Sequence, residues 1–356
     1  MATPLLSAGA HLMKFVRADL LRTLEACSLG LSSKDNMEQS SCFVFRNGIV
    51  HTYNGEICCS SPLANAEGVP FDCYGAVPSK TLLQTLRKSP DDEIEITCEA
   101  DKIKLKGGSD RRKQQIPKMD DIVLPLEEVE QATEYVDLPP IFGEAIARVA
   151  PCAAKDSATF ALTCVAFGPK GIQATDCRQA IRFLVATGRK EGAVLVRAES
   201  LKGLDGLGLA AIAYGDNWVH FRTYAGVIVS VRLIAEAYPN IGTIFTETAK
   251  QSVLLPVSVA DIIARAMPFV AEKAEGKQIE FTLSNGNLLV RADSGSGWFE
   301  EDRDLDYTGP TLLVKTNPEV LPNVLRYAAP IEVCETMIRV KSDGCCYCVS
   351  AEVIQS

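Results

Sequence analysis

Three stretches of the chain alternate apolar and other residues on either side of a turn. FVFRNGIVHTY (Phe43 to Tyr53) does so around Asn47-Gly48, CVAFGPKGIQATD (Cys164 to Asp176) around Gly168 to Gly171, and IEFTLSNGNLLVRAD (Ile279 to Asp293) around Asn285-Gly286. Period-two alternation interrupted by Asn-Gly, or by a short glycine-bounded turn, predicts a β-hairpin. The turn glycines Gly48, Gly171 and Gly286 lie 123 and 115 residues apart, close to one third of the 356-residue chain.

Helical periodicity precedes each hairpin. Leu20, Leu21, Leu24 and Cys27 form the first stripe, Phe142, Ala145, Ile146 and Val149 the second, and Val259, Ile262, Ile263 and Ala266 the third, which opens on Pro256 and Ser258. A shorter helical segment follows each hairpin: SKTLLQTLRK from Ser79, SLKGLDGL from Ser200 and NPEVLPNVLRY from Asn317, with starts 121 and 117 residues apart. Each start is a residue suited to N-capping. Gly203 and Gly206 weaken the middle segment, and Pro322 is tolerated near the first turn of the third. The recurring order of helix, hairpin, strands, helix and strands predicts an α+β chain of three repeated units, each with two helices packed on antiparallel sheets.

Composition narrows the picture. At 47% hydrophobic and 23% charged residues the chain is not of the disordered class, and its length exceeds one typical core. No apolar run approaches the ~20 residues of a membrane span, and MATPLLSAGAHLMKF is a poor secretion signal, so the cytoplasm is the default compartment. Thirteen irregularly spaced cysteines, an odd number, read as reduced and mostly buried thiols rather than a disulfide framework. A net charge of -9 argues against coating nucleic acid with the whole surface, but leaves room for a local basic lining.

The segments in this order resemble the bacterial-type DNA sliding clamp, the β subunit of the replicative DNA polymerase. ATDCRQAIRF (Ala174 to Phe183) is similar to that family's ATDGHRLA segment, and VSVRLIAEAYPNIGTIF (Val229 to Phe245) to its SRL-x-x-G-x-FP-x-Y segment. VPSKTLLQTLRKSPDDEIEI resembles the second helix of the family's first domain, and Met13-Lys14-Phe15 its usual start. The resemblance is colinear over essentially the whole chain, with enough departures to suggest a divergent member of bacterial or phage origin. It implies an extension over residues 1–12 and clamp domains over 13–130, 131–250 and 251–356. It further implies crescent-shaped subunits that pair as a homodimer, closing a ring around duplex DNA. Such a ring tethers the replicative polymerase, is placed by a clamp loader, catalyses nothing and needs no cofactor.

Three sets of site residues follow from the resemblance. Basic residues beside the apolar stripes would face DNA: Arg22, Lys80, Arg87, Lys88, Arg148, Lys202, Arg265 and Arg326, with Lys155 just after a helix. The competing reading is the ordinary polar face of an amphipathic helix. The ring seam would join SDRRKQQIP, with Arg111, Arg112 and Lys113, to a partner surface containing Phe269 and the strand WFEEDRDLDY, with Glu300, Glu301, Asp302 and Asp304. The alternative is two charged edges that prevent aggregation. A partner-peptide groove would use Leu162, Thr175, Cys177, Arg178, Gln179, Ala180, Thr246, Cys348 and Ser350. Ala180, Thr246 and Ser350 are smaller or more polar than the family pattern, so the groove either recognises a different peptide or has been lost.

Enzymatic readings find little support. The histidines His11, His51 and His220 lie in no nucleophile or metal motif, and Cys345-Cys346-Tyr347-Cys348 lacks a second pair to complete a zinc site. Asp176 beside Cys177 has no nearby base in sequence. A clamp-derived scaffold that binds proteins without encircling DNA is the second reading, and a cysteine-dependent enzyme the third.

Overall fold

The computed structural model describes residues 11–34, 37–107, 112–271, 277–295, 297–327 and 329–355. The chain forms two compact units, Met1–Glu144 with Glu199–Ile234, and Ala145–Ala198 with Ala235–Ser356. The segment 131–250 therefore contributes to both.

In unit 1 one antiparallel sheet runs Gly75–Pro78, Cys42–Arg46, Ile49–Tyr53, Ile57–Pro62, Ile228–Ile234, Trp218–Thr223, Leu209–Tyr214, Val136–Asp137. A separate four-stranded sheet runs His11–Val16, Glu93–Cys98, Lys102–Gly107, Lys113–Pro117. Unit 2 repeats the first arrangement: Val194–Arg197, Cys164–Gly168, Gly171–Thr175, Gln179–Phe183, Cys345–Gln355, Met337–Ser342, Ile331–Val333, Gln251–Val253. The far half of Cys345–Gln355 also pairs with Leu312–Thr316, which continues through Ile279–Ser284 and Asn287–Ser294 to Gly297–Asp304.

All three expected hairpins form at the expected turns. Asn47 and Gly48 both take positive φ, 54° and 71°, matching the twist of the flanking strands. Gly171 has φ 123°, and a Cβ there would lie 2.0 Å from the Phe183 carbonyl oxygen, so the second hairpin accepts no side chain at that point.

Four of the six expected helical segments are α-helices of eight residues or more: Arg17–Cys27, Ser79–Lys88, Phe142–Val149 and Val259–Ala266. Their apolar stripes are buried, apart from the half-buried Leu21. Truncating a fully enclosed residue such as Leu24 to Ala would cost about 2–5 kcal/mol. The expected helix from Ser200 is instead two 3₁₀ turns, Ala198–Leu201 and Asp205–Leu207. Gly203 and Gly208 adopt φ of 83° and 65°, which breaks α-helical continuity. The segment from Asn317 yields only Leu321–Leu325, with Pro322 in its first turn. The expected capping by a hydroxyl side chain is absent at Ser79, whose Oγ donates to the Ser41 carbonyl instead.

Candidate functional site

The turn joining Gly171–Thr175 to Gln179–Phe183 is built by its own side chains. Asp176 Oδ1 accepts from the N–H groups of Arg178 and Gln179, both at 2.9 Å, while Thr175 Oγ1 donates to the Gln179 carbonyl at 2.7 Å. Gln179 is buried; its amide nitrogen donates to Asp176 Oδ2 at 2.9 Å and its Oε1 accepts from the Tyr347 hydroxyl. Asp176 is thus spent on shaping the turn. Cys177 projects outward at its apex with φ 72°, a left-handed conformation disfavoured for any residue with a Cβ. Ser350 N–H donates to the Arg178 carbonyl at 2.8 Å, tying the turn to the C-terminal strand.

A cavity of about 540 Å³ opens beside this turn. Leu162, Thr175, Cys177, Arg178, Gln179, Ala180, Cys348 and Ser350 all line it, as do Thr159, Pro239, Ile241, Ile244, Thr336, Met337 and Val349. Thr246 does not: it closes the 3₁₀ turn Gly242–Thr246, and its hydroxyl donates to the Thr243 carbonyl at 3.1 Å. Phe245 takes the buried place in that turn, with the Arg182 guanidinium 4.3 Å from its ring centre. The apolar walls supplied by Ile241, Ile244 and Met337 escaped sequence reasoning. The first two lie inside the quoted Val229–Phe245 segment; Met337 begins a strand with no distinguishing motif.

Unit 1 holds a second cavity, of about 480 Å³, with a different lining that includes Arg46, His51, Ser60, Tyr135, His220 and Ser230. Burial, then the Arg46 charge, pushes His51 down to about 4, and burial lowers His220 as well. His220 Nδ1 lies 2.8 Å from Ser230 Oγ, while its buried Nε2 has no hydrogen-bond partner among the described residues.

The expected DNA-facing residues fall into three groups. Arg22 pairs with Asp19 at 3.1 Å, Arg87 with Glu25 at 2.9 Å, Lys202 with Glu199 at 2.6 Å and Arg265 with Glu301 at 2.7 Å. Arg148 is half-buried, 5.8 Å and 5.5 Å from the ring centres of Phe183 and Tyr327. Lys80, Lys88 and Lys155 are exposed, with no ion pair among the described residues, and the exposed Arg326 donates from its guanidinium to Asn323 Oδ1 at 3.4 Å.

At the expected seam, Arg111 lies outside the described residues. Arg112 pairs with Asp91 at 3.2 Å, and Lys113 is exposed at the start of Lys113–Pro117. Gly297–Asp304 is an edge strand whose Glu300 and Asp302 are exposed, whereas Glu301 turns inward to Arg265 and Arg303. Phe269 stacks on Phe299, with ring centres 5.9 Å apart.

Among the described residues no cluster of three or more His, Cys, Asp or Glu side chains could hold a metal ion, and no helix is long and apolar enough to cross a membrane. All thirteen cysteines are free, and burial pushes Cys58 up to about 12.

Antiparallel strands in repeated hairpins, with few helices, define a clamp-like fold. No protein-family model and no curated protein matches the sequence. The fold is that of the DNA polymerase III β sliding clamps. A putative β subunit from Eubacterium rectale superposes with a TM-score of 0.81 at 18% identity, covering 96% of this chain and 99% of that one. The sliding clamp of Pseudomonas aeruginosa, solved bound to griselimycin, gives 0.82 at 17% identity, and the β subunit of Thermotoga maritima 0.82 at 18%, with the same coverage.

Proposed function

We propose that the chain is a DNA sliding clamp, a non-enzymatic processivity factor. In this reading it has three clamp domains, and two copies close a ring around duplex DNA. The groove beside Thr175–Ala180 docks a peptide from the replicative polymerase or the clamp loader. The observation that carries this reading is the likeness to β clamps across 96% of the chain. Exposed Lys80, Lys88 and Lys155 supply a sequence-independent phosphate contact. The edge strands Lys113–Pro117 and Gly297–Asp304 each pair with one neighbour among the described residues, leaving main-chain groups for strand addition. Their opposite charges favour a head-to-tail seam that weakens with salt.

Ile241, Ile244 and Met337 give the groove walls on which an apolar anchor gains about 1.5–3 kcal/mol when fully buried. Arg178 at the rim favours a carboxylate in the same peptide. A retained groove with altered walls fits a different peptide better than it fits a lost site.

The decisive test is retention on nicked circular DNA, which is expected to vanish on linearisation; equal loss from both forms would overturn encirclement. Met337→Lys should abolish binding of a fluorescent partner peptide without releasing a loaded ring. The scaffold reading draws on one observation: Arg22, Arg87, Lys202 and Arg265 are each neutralised by a carboxylate of the same unit. It would prevail if the unsubstituted chain bound the partner peptide but showed no retention on nicked circular DNA that linearisation abolishes.

A further inference from the structure

The cavity of about 480 Å³ in unit 1 takes no part in the proposed clamp function, yet its walls carry hydrogen-bonding groups that the fold does not use. Its floor is one face of the larger sheet of unit 1. His51, Ser60 and Ile228 stand side by side across three strands, and Cys58, Ser230 and His220 form the next row. The opposite wall is the segment 126–135, with Leu126, Val129 and Tyr135. Glu127, paired with Arg46 at 2.6 Å, and Glu130, accepting from the Asp216 and Asn217 N–H groups at 2.8 Å, hold that segment in place. The cavity is therefore preformed, as small-molecule sites usually are.

The two rows are satisfied differently. Ser230 and His220 engage each other, and the enclosed His220 Nε2 is left without a partner among the described residues. The half-buried side chains of His51 and Ser60 make no hydrogen bond among the described residues. Unit 2 fills the same two places otherwise. Gln173 and Arg182, each 122 residues further on, pair across the equivalent strands as His51 and Ser60 do. There the Arg182 guanidinium donates twice to Gln173 Oε1, at 3.1 and 2.8 Å, and lies against the Phe245 ring. The repeated scaffold thus closes this polar pair on itself in unit 2 and turns it towards a cavity in unit 1.

From this contrast we propose that the unit 1 cavity binds a neutral, flat heterocycle bearing both hydrogen-bond donors and acceptors, the chemistry of an unphosphorylated nucleoside. The volume lies within the roughly 300–1,000 Å³ of small-molecule sites. A neutral imidazole and a hydroxyl each offer one donor and at least one acceptor, so the ligand that matches His51 and Ser60 carries both. Ile49 and Ile228 on the sheet, with Leu126 and Val129 opposite, give apolar area to the faces of a ring. Charge excludes the ionic alternatives. Arg46 and Glu127 neutralise each other, Glu130 is spent on backbone N–H groups, and burial keeps both imidazoles uncharged near pH 7. A phosphate would meet no uncommitted cation in the lining, and an ammonium no uncommitted carboxylate. Such a site is independent of whether the chain encircles DNA.

The test uses the full chain carrying ¹³C-labelled histidine, titrated with adenosine, guanosine, cytidine and uridine and followed by the imidazole resonances. At least one nucleoside is expected to bind saturably, at about 1 mM or tighter, and to move the His51 and His220 signals. Its 5′-monophosphate should bind more weakly. Ser60→Ala should weaken binding by about three- to tenfold. His51→Gln combined with Ser60→Arg, which installs the pair found in unit 2, should abolish it. The proposal is overturned if no nucleoside moves the two histidines, if the monophosphate binds more tightly than its nucleoside, or if glucose moves them at the same concentrations. Titration of the unsubstituted chain decides the matter even if a substituted chain does not fold.

Discussion

The turn Thr175–Gln179 in unit 2 has a counterpart in unit 1, Tyr53–Ile57, 122 residues earlier. There Asn54 Oδ1 accepts from the N–H groups of Glu56 and Ile57, as Asp176 does from Arg178 and Gln179. Arg232 N–H donates to the Glu56 carbonyl at 2.9 Å, matching Ser350 to Arg178. At the left-handed apex unit 1 has Gly55, with φ 93°, where unit 2 has Cys177.

The segments that cover the two sheets differ more. Over unit 1, Leu124 and Val129 are buried with Tyr53 and Trp218. Arg46 donates to Glu127 at 2.6 Å, and Glu130 accepts from Asp216 and Asn217 N–H groups at 2.8 Å, so the covering segment is also pinned by its carboxylates. In unit 2, Ile241 and Phe245 pack with Met337 and Cys348 beside an open, mostly apolar groove. One scaffold has thus been completed twice, with a cavity of mixed polar and apolar lining beside a fastened strap in unit 1 and a mostly apolar one in unit 2. Only the second rewards an apolar anchor, because the histidine and serine groups of the first would lose hydrogen-bonding partners on contact with it.

The sharpest way to break this comparison is at its two fillers. Trp218→Ala should lower stability by about 3–5 kcal/mol in urea unfolding. Met337→Ala should cost less, about 2 kcal/mol, since its site already opens on a cavity. Equal losses would mean the two sites are packed alike.

Acid comes next. All three histidines are in unit 1, and His51 is held neutral down to about pH 4 by its burial. Between the usual histidine pKa near 6.5 and that value, the unfolded chain binds a proton that the folded chain refuses. Stability should therefore fall as pH drops through this window, by on the order of 2 kcal/mol, and should be flat above it. Hydrogen exchange at pH 7 and pH 5 should show the loss in unit 1, with His51→Gln flattening the slope. Loss confined to unit 2 would refute the assignment.

The smallest effects lie at the paired turns. Cys177→Gly should stabilise by up to about 1 kcal/mol by relieving the left-handed backbone, and Gly55→Ala should cost about the same. Thermal melts of the reciprocal pair would test whether the two apices are conformationally equivalent.

Hairpins were legible in the sequence because a turn and its flanking alternation are local. The groove turn was legible because Thr175, Asp176 and Gln179 satisfy its backbone from within five residues. The Ser200 segment misled because its apolar spacing suits a helix while Gly203 and Gly208 need backbone angles that a helix lacks. Thr246 lies outside the cavity lining, one residue after the buried Phe245 that meets Arg182 from another strand. The pairing of Arg87 with Glu25, 62 positions away, leaves no trace in any periodic pattern.

The strand Cys345–Gln355 belongs to two sheets at once, pairing with Gln179–Phe183 and Met337–Ser342 in its first half and with Leu312–Thr316 in its second. A slip of one residue would turn Tyr347, Val349 and Ala351 outward in both sheets together. Neither sheet can settle in the wrong alignment alone, so this one strand acts as a proofreader, rejecting during folding any pairing that the other sheet cannot also accept.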